Sequence, residues 1–131
     1  MGYCMIQECA EFRIDRKDHK DALEAVRALA GKETYGDHFS WVSTNRFLGA
    51  KTLADALNAW RWEVEQDEDY NIVGIAFVGE KLGDDTILFK AIAPFIKPGS
   101  YIEMRGEDGC LWRWLFDGND FREQYAKVVW E

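Results

Sequence analysis

Proline is nearly absent from this sequence: Pro94 and Pro98 are the only two in 131 residues. No Pro- or Ser-rich stretch, repeat or low-complexity segment offers a linker, so the length suits one α+β domain over residues 1–131. Cysteine is scarce and odd in number. Cys4, Cys9 and Cys110 lack CxxC spacing, which argues against a disulfide framework and for reduced thiols in the cytoplasm. No apolar run reaches the roughly 18 residues that a membrane-spanning helix needs. The first eight residues hold no basic segment ahead of an apolar one, so no secretory leader is expected. Glycine-rich phosphate loops and the G-x-S-x-G nucleophile turn are missing as well.

Positive charge is the other shortage. Against 24 acidic side chains stand 16 basic ones, for a net charge of -8 and no run of three cations. Binders of duplex nucleic acid need a basic patch, so neither direct nucleic-acid binding nor attachment to an anionic membrane is expected. The imbalance is uneven: residues 1–65 carry net -2 and residues 66–131 net -6.

What the chain has in quantity is aromatic and apolar content, 15% and 47% with six Trp. That is enough for a core without staples. Residues 3–14 have the branched content of a strand. Asp15 or Asp18 can cap a helix to about Ala30, with Ala22, Leu23, Val26 and Leu29 on one side and Gly31 closing it. Residues 32–38 read as loop. Phe39–Val42 reads as a short strand with Phe39 and Trp41 pointing inward. Thr52 starts a second helix by the capping-box pattern with Asp55, and Leu53, Leu57 and Trp60 form its buried face to about Arg61 or Trp62. Trp62 and Val64 begin a hairpin that turns at residues 67–71 and returns over Ile72–Val78. Asp84 or Asp85 caps a third, largely apolar helix ending near Pro94. Strands from Tyr101, Cys110 and Phe121 complete a meander, the last running to Trp130. The order β-α-β-α-β-β-α-β-β-β, without regular βαβ alternation, predicts an α+β domain: a mostly antiparallel sheet with about three helices on one face.

Two features stand out as candidate sites. The first is acidic: Glu65, Asp67, Glu68 and Asp69 in one turn, Glu107 and Asp108 in another. Asp67, Asp69 and Asn71 match the first, third and fifth positions of a calcium loop. Ile72 and Val78 then stand where the sixth and twelfth need Gly and Glu, so no metal is expected. A solvated hairpin tip or an acidic docking surface remains. The second is the stripe Cys110, Trp112, Trp114 and Phe116, which shares one strand face. It is either core or a stacking platform for a base, a sugar or a partner's side chain. If the Gly106–Gly109 turn centres on Glu107-Asp108, Glu103 faces Trp112 and Arg105 faces Cys110. Glu103 and Arg113 then lie on opposite faces. His19 and His38 are the only histidines, and no Cys–His dyad or zinc site follows from their placement.

Tyr3-Cys4-Met5, Trp60-Arg61-Trp62, Gly79-Glu80-Lys81-Leu82-Gly83-Asp84-Asp85 and Gly106-Glu107-Asp108-Gly109-x-x-Trp112-Arg113-Trp114-x-Phe116 give the chain a family likeness. Over nearly its whole length it resembles small proteins of Firmicutes-type bacteria and their phages. The resemblance implies a stand-alone cytosolic domain from a bacterium or a mobile element. It brings no activity, catalytic residue, cofactor or substrate.

These features predict a non-enzymatic, acidic interaction domain for a protein partner with a basic surface. In a phage setting its concrete form is an inhibitor of a host defence system, anti-CRISPR-like. The alternative is a small-ligand domain for a nucleotide or sugar on the aromatic sheet face. The expected binding residues are Trp112, Trp114, Glu65, Asp67, Glu68, Asp69, Glu107 and Asp108, with no catalytic residue, metal or cofactor.

Overall fold

A computed structural model describes residues 2–31 and 39–130. The predicted loop at 32–38 and His38 lie outside them. The described residues form six strands: β1 (Met5–Glu11), β2 (Trp62–Gln66), β3 (Ile72–Phe77), β4 (Tyr101–Gly106), β5 (Leu111–Phe116) and β6 (Phe121–Tyr125). The helices are α1 (His19–Ala28), α2 (Thr44–Leu48), α3 (Leu53–Ala59) and α4 (Asp85–Ile92). The class is α+β, as expected.

The strands form an antiparallel sheet in the order β1-β4-β5-β6 and a separate hairpin of β2 and β3. The hairpin lies along the free side of β1. Isolated bridges join Cys4 to Lys81 and Ile14 to Ile72, and the middle of the gap is closed by a side chain. Gln7 Nε2 donates to the Ile75 carbonyl (2.8 Å), and its Oε1 accepts from the Phe77 amide (2.9 Å). The carboxamide thus substitutes for a backbone pair where β1 is bulged between Gln7 and Cys9.

One face of this assembly is covered by the helices. Phe89 of α4 packs on Trp62 (5.0 Å between ring centroids), Trp114 (5.3 Å) and Phe116 (5.8 Å). One helical ring therefore ties the hairpin to the main sheet. Phe39, Phe47 and Trp60 form a second aromatic cluster, with centroids 5.1 to 5.9 Å apart. The Thr52 cap is as expected: its hydroxyl accepts from the Asp55 amide (3.1 Å). That helix stops at Ala59, because Arg61 takes a left-handed conformation (φ 75°) and turns the chain into β2.

Four expectations are corrected. Phe39–Val42 is a tight turn closed by a single bridge, with Trp41 at φ 66° and exposed rather than inward. The short helix α2 follows it. The last strand ends at Tyr125, not Trp130. The β4–β5 loop has three residues, because Gly106 donates its amide to Cys110 (2.8 Å) and Gly109 occupies the left-handed region (φ 84°). A turn followed by a left-handed glycine adds one residue to the loop. The register accordingly sets Glu103 opposite Arg113 on the same face, and Met104 opposite Trp112.

Candidate functional site

Trp112 and Trp114 are core. They are 5% and 0% exposed, because the helices cover the face to which the stripe points. Trp112 packs between Tyr3 (6.3 Å) and Trp114 (6.2 Å). Trp114 donates its Nε1–H to Glu123 (3.0 Å). Neither ring is open for stacking, which overturns the platform reading of this sheet face.

The acidic residues divide by what their oxygens do. Asp67 is consumed by its own turn: Oδ1 accepts from the amides of Asp69 and Asn71 (both 2.9 Å), and Oδ2 from the Asn71 side chain (3.1 Å). These bonds, the Asn71 side chain first, hold its pKa below the ordinary value. Asn71 in turn accepts from the Arg16 amide (2.8 Å). The Asp67…Asn71 motif, calcium-like in sequence, therefore pins the hairpin tip to the chain entering α1. Glu107 accepts from the Cys4 amide (2.9 Å). Asp108 accepts from the Cys110 amide (3.0 Å) and from the Tyr3 hydroxyl. That last bond lowers the Asp108 pKa and pushes the Tyr3 phenol up to about 12. Glu65, Glu68 and Asp69 remain exposed.

The two acidic turns do not form one surface. The 67–71 turn lies at the Ile14–Ile72 end of β1 and the 107–109 turn at its Cys4 end. Ten residues of extended chain separate those ends by about 30 Å.

The uncovered sheet face bears a row of directly paired residues, Cys9, Glu103, Arg113 and Gln124. Cys9 Sγ donates to Glu103 (3.5 Å), and Arg113 Nε donates to Gln124 (2.9 Å). The Arg113 guanidinium lies 5.7 Å from the Tyr101 ring. Desolvation and the Glu103 carboxylate raise the Cys9 pKa, so its nucleophilic thiolate is disfavoured. His19 Nε2 is 3.1 Å from the Ile14 carbonyl, and Cys4 Sγ accepts from Lys81 Nζ (2.9 Å). Among the described residues no group of three or more His, Cys, Asp or Glu is placed to hold a metal ion. None of their helices is long and apolar enough to cross a membrane.

One feature escaped the sequence reading. Among the described residues β6 is an edge strand, unpaired on its outer side. The last bond of its ladder, Ala126 N to Leu111 O (3.0 Å), places Ala126 next to the β4–β5 loop. The chain then leaves the sheet with Val128 84% exposed, Val129 77% and Trp130 92%, beyond an exposed Tyr125. The signal was the Val-Val-Trp run itself, which reads as strand but pairs with no neighbour among the described residues. No protein-family model, curated protein or solved structure matches this chain.

Proposed function

We propose that this chain is a non-enzymatic, acidic interaction domain that acts in the cytoplasm. It docks a protein partner with a basic surface through the sheet end formed by β6, residues 126–130 and the β4–β5 loop. The observation that carries this reading is the apolar segment Val128-Val129-Trp130, held in the open next to an unpaired strand edge. Exposed apolar patches and free edges mark sites of protein docking, and adding a strand to an edge is a common mode. A Trp is a frequent anchor at such interfaces. The charge of the partner follows from the net -6 of residues 66–131 and from Glu107 and Asp108 in the adjacent loop.

In a phage or mobile-element setting the concrete form is an inhibitor of a host defence protein. Simple imitation of a nucleic-acid backbone is the weaker version, since the acids sit at opposite ends of the sheet and half of those named are bonded inward.

The test is capture from bacterial lysate with a photo-crosslinker at position 130. The reading expects a basic protein crosslinked there, lost on Trp130→Ala and on Val129→Asp and weakened by added salt. Two results oppose it: capture that ignores both substitutions, or crosslinks only between copies of this chain.

A further inference from the structure

At the other end of the sheet, a cavity of about 530 Å³ opens between the start of α1, the start of α3 and the β2–β3 turn. Its volume falls within the roughly 300–1,000 Å³ of small-ligand sites. Its composition runs against that of the chain. In a protein of net charge -8, the lining holds Arg16, Lys20, Lys51 and His19 and, among the described residues, no acidic one. Among the described residues, neither Arg16 nor either lysine forms an ion pair.

The cations are arranged around a ring. The Arg16 guanidinium lies 5.7 Å from the centre of the Tyr70 ring, and the Arg16 amide is fixed by Asn71. A guanidinium stacked on an aromatic face keeps its edge N–H donors free for an anion. Tyr70 itself is 63% exposed, so its ring has surface left for a second planar group. His19 Nε2 is occupied at the Ile14 carbonyl, which leaves Nδ1 as its other polar atom. Leu23 and Leu53 give the cavity an apolar floor. Glu68 and Asp69 are neighbours of Tyr70 in sequence but do not line it.

We propose that this cavity binds a small anionic ligand bearing a planar ring, of the mononucleotide class. The phosphate lies among Arg16, Lys20 and Lys51, and the ring against Tyr70. This goes beyond the docking surface, from which it is separated by the length of β1.

Isothermal titration of the full chain with ADP, pyrophosphate and adenosine tests it, with thermal unfolding alongside. ADP binds and raises the unfolding midpoint. The double variant Lys20→Glu/Lys51→Glu weakens ADP and pyrophosphate by at least about tenfold. Tyr70→Ala weakens ADP but not pyrophosphate, and adenosine alone binds far less well. All three substituted side chains are exposed, so the unliganded midpoint stays put and a binding loss is not a folding loss. The proposal is overturned if none of these compounds binds at about 5 mM, or if binding survives the charge reversal. It is overturned for the ring if Tyr70→Ala leaves ADP untouched. None of these outcomes bears on capture through residues 126–130, so the two readings fail separately.

Discussion

Trp112 and Trp114 differ by one hydrogen bond. Trp114 Nε1 donates to Glu123, whereas Trp112 Nε1 is buried with no acceptor among the described residues. A made hydrogen bond contributes about 1 kcal/mol, and an unmatched buried donor costs about 1–3 kcal/mol. Trp114→Phe should therefore destabilise more than Trp112→Phe in urea unfolding, by about 1 kcal/mol or more; equal losses would contradict the bonding described. Asp85 is the other decisive side chain. Fully buried, it accepts from Trp62 Nε1 (2.9 Å), the Gly83 amide (3.0 Å) and Arg61 (3.1 Å). Asp85→Ala strands those donors and should cost about 3–5 kcal/mol. Acid stability depends on groups shifted both ways. Asp67, Asp108, Asp117 and Asp120 have lowered pKa values, from the Asn71 side chain, the Tyr3 hydroxyl and the amides of Asp120 and Phe121 respectively. Their contribution is whole above the ordinary value of 3.8 and is lost as pH falls through the lowered folded values. Desolvation raises Asp85, so it gains on acidification and opposes them. Asp67→Asn should flatten the fall in unfolding midpoint below pH 3.8; an unchanged slope would remove Asp67 from the account. Only part of this was legible in the sequence. The two Trp were visible as a stripe, but Leu111 and Leu115 make the opposite side of β5 apolar too. Which side is buried depends on where the helices pack, and that is a long-range property.

Loops decided where the element-level reading held and where it slipped. The periodic helices, the 67–71 turn and the Thr52 cap could be read because each rests on contacts within a few residues. The β4–β5 register could not, because one left-handed glycine changes the loop by a residue and moves every pair. Gly109 has open space around a would-be Cβ, so its requirement is purely conformational. Gly109→Ala should cost about 1 kcal/mol, and Gly109→Asn less, since Asn enters the left-handed region more readily. Gly106 is different: a Cβ there would overlap the Tyr3 hydroxyl and ring. Gly106→Ala must displace Tyr3 from both Asp108 and the Trp112 ring. The helix α2 gave no periodic signal, having five residues and one buried side chain, Phe47. Gln7 was equally silent, since a polar residue in a strand reads as surface. Its amide instead bridges β1 to β3. Gln7→Leu keeps the volume and removes both bonds, leaving the Phe77 amide and Ile75 carbonyl to find other partners. About 1–3 kcal/mol per group left unmatched is the expected loss.

At the scale of the molecule, net charge was legible and its geometry was not. Composition gives -8 and an acidic second half, but only the fold separates the acids into two ends and lines a cavity at the 67–71 end with cations from the starts of α1 and α3. The α+β class was readable because consecutive hairpins leave few alternatives for an antiparallel sheet. The exposed 126–130 segment was not, because Val-Val-Trp is as strand-like as its pairing predecessors. The final prediction separates contribution to fold from contribution to docking. Residues 127–130 are all exposed, so their removal takes little apolar area out of the core. Deleting residues 127–131, which keeps the ladder bond from Ala126 to Leu111, should shift unfolding stability by no more than about 0.5 kcal/mol, the range of ordinary surface changes. It should nevertheless abolish capture of the basic partner. Glu107→Lys with the segment intact should instead leave capture detectable but flatten its dependence on salt, because it alters the charge of the docking end and not its apolar anchor. If the truncated chain unfolds markedly more easily, those residues belong to the fold, and the docking surface loses the observation on which it rests.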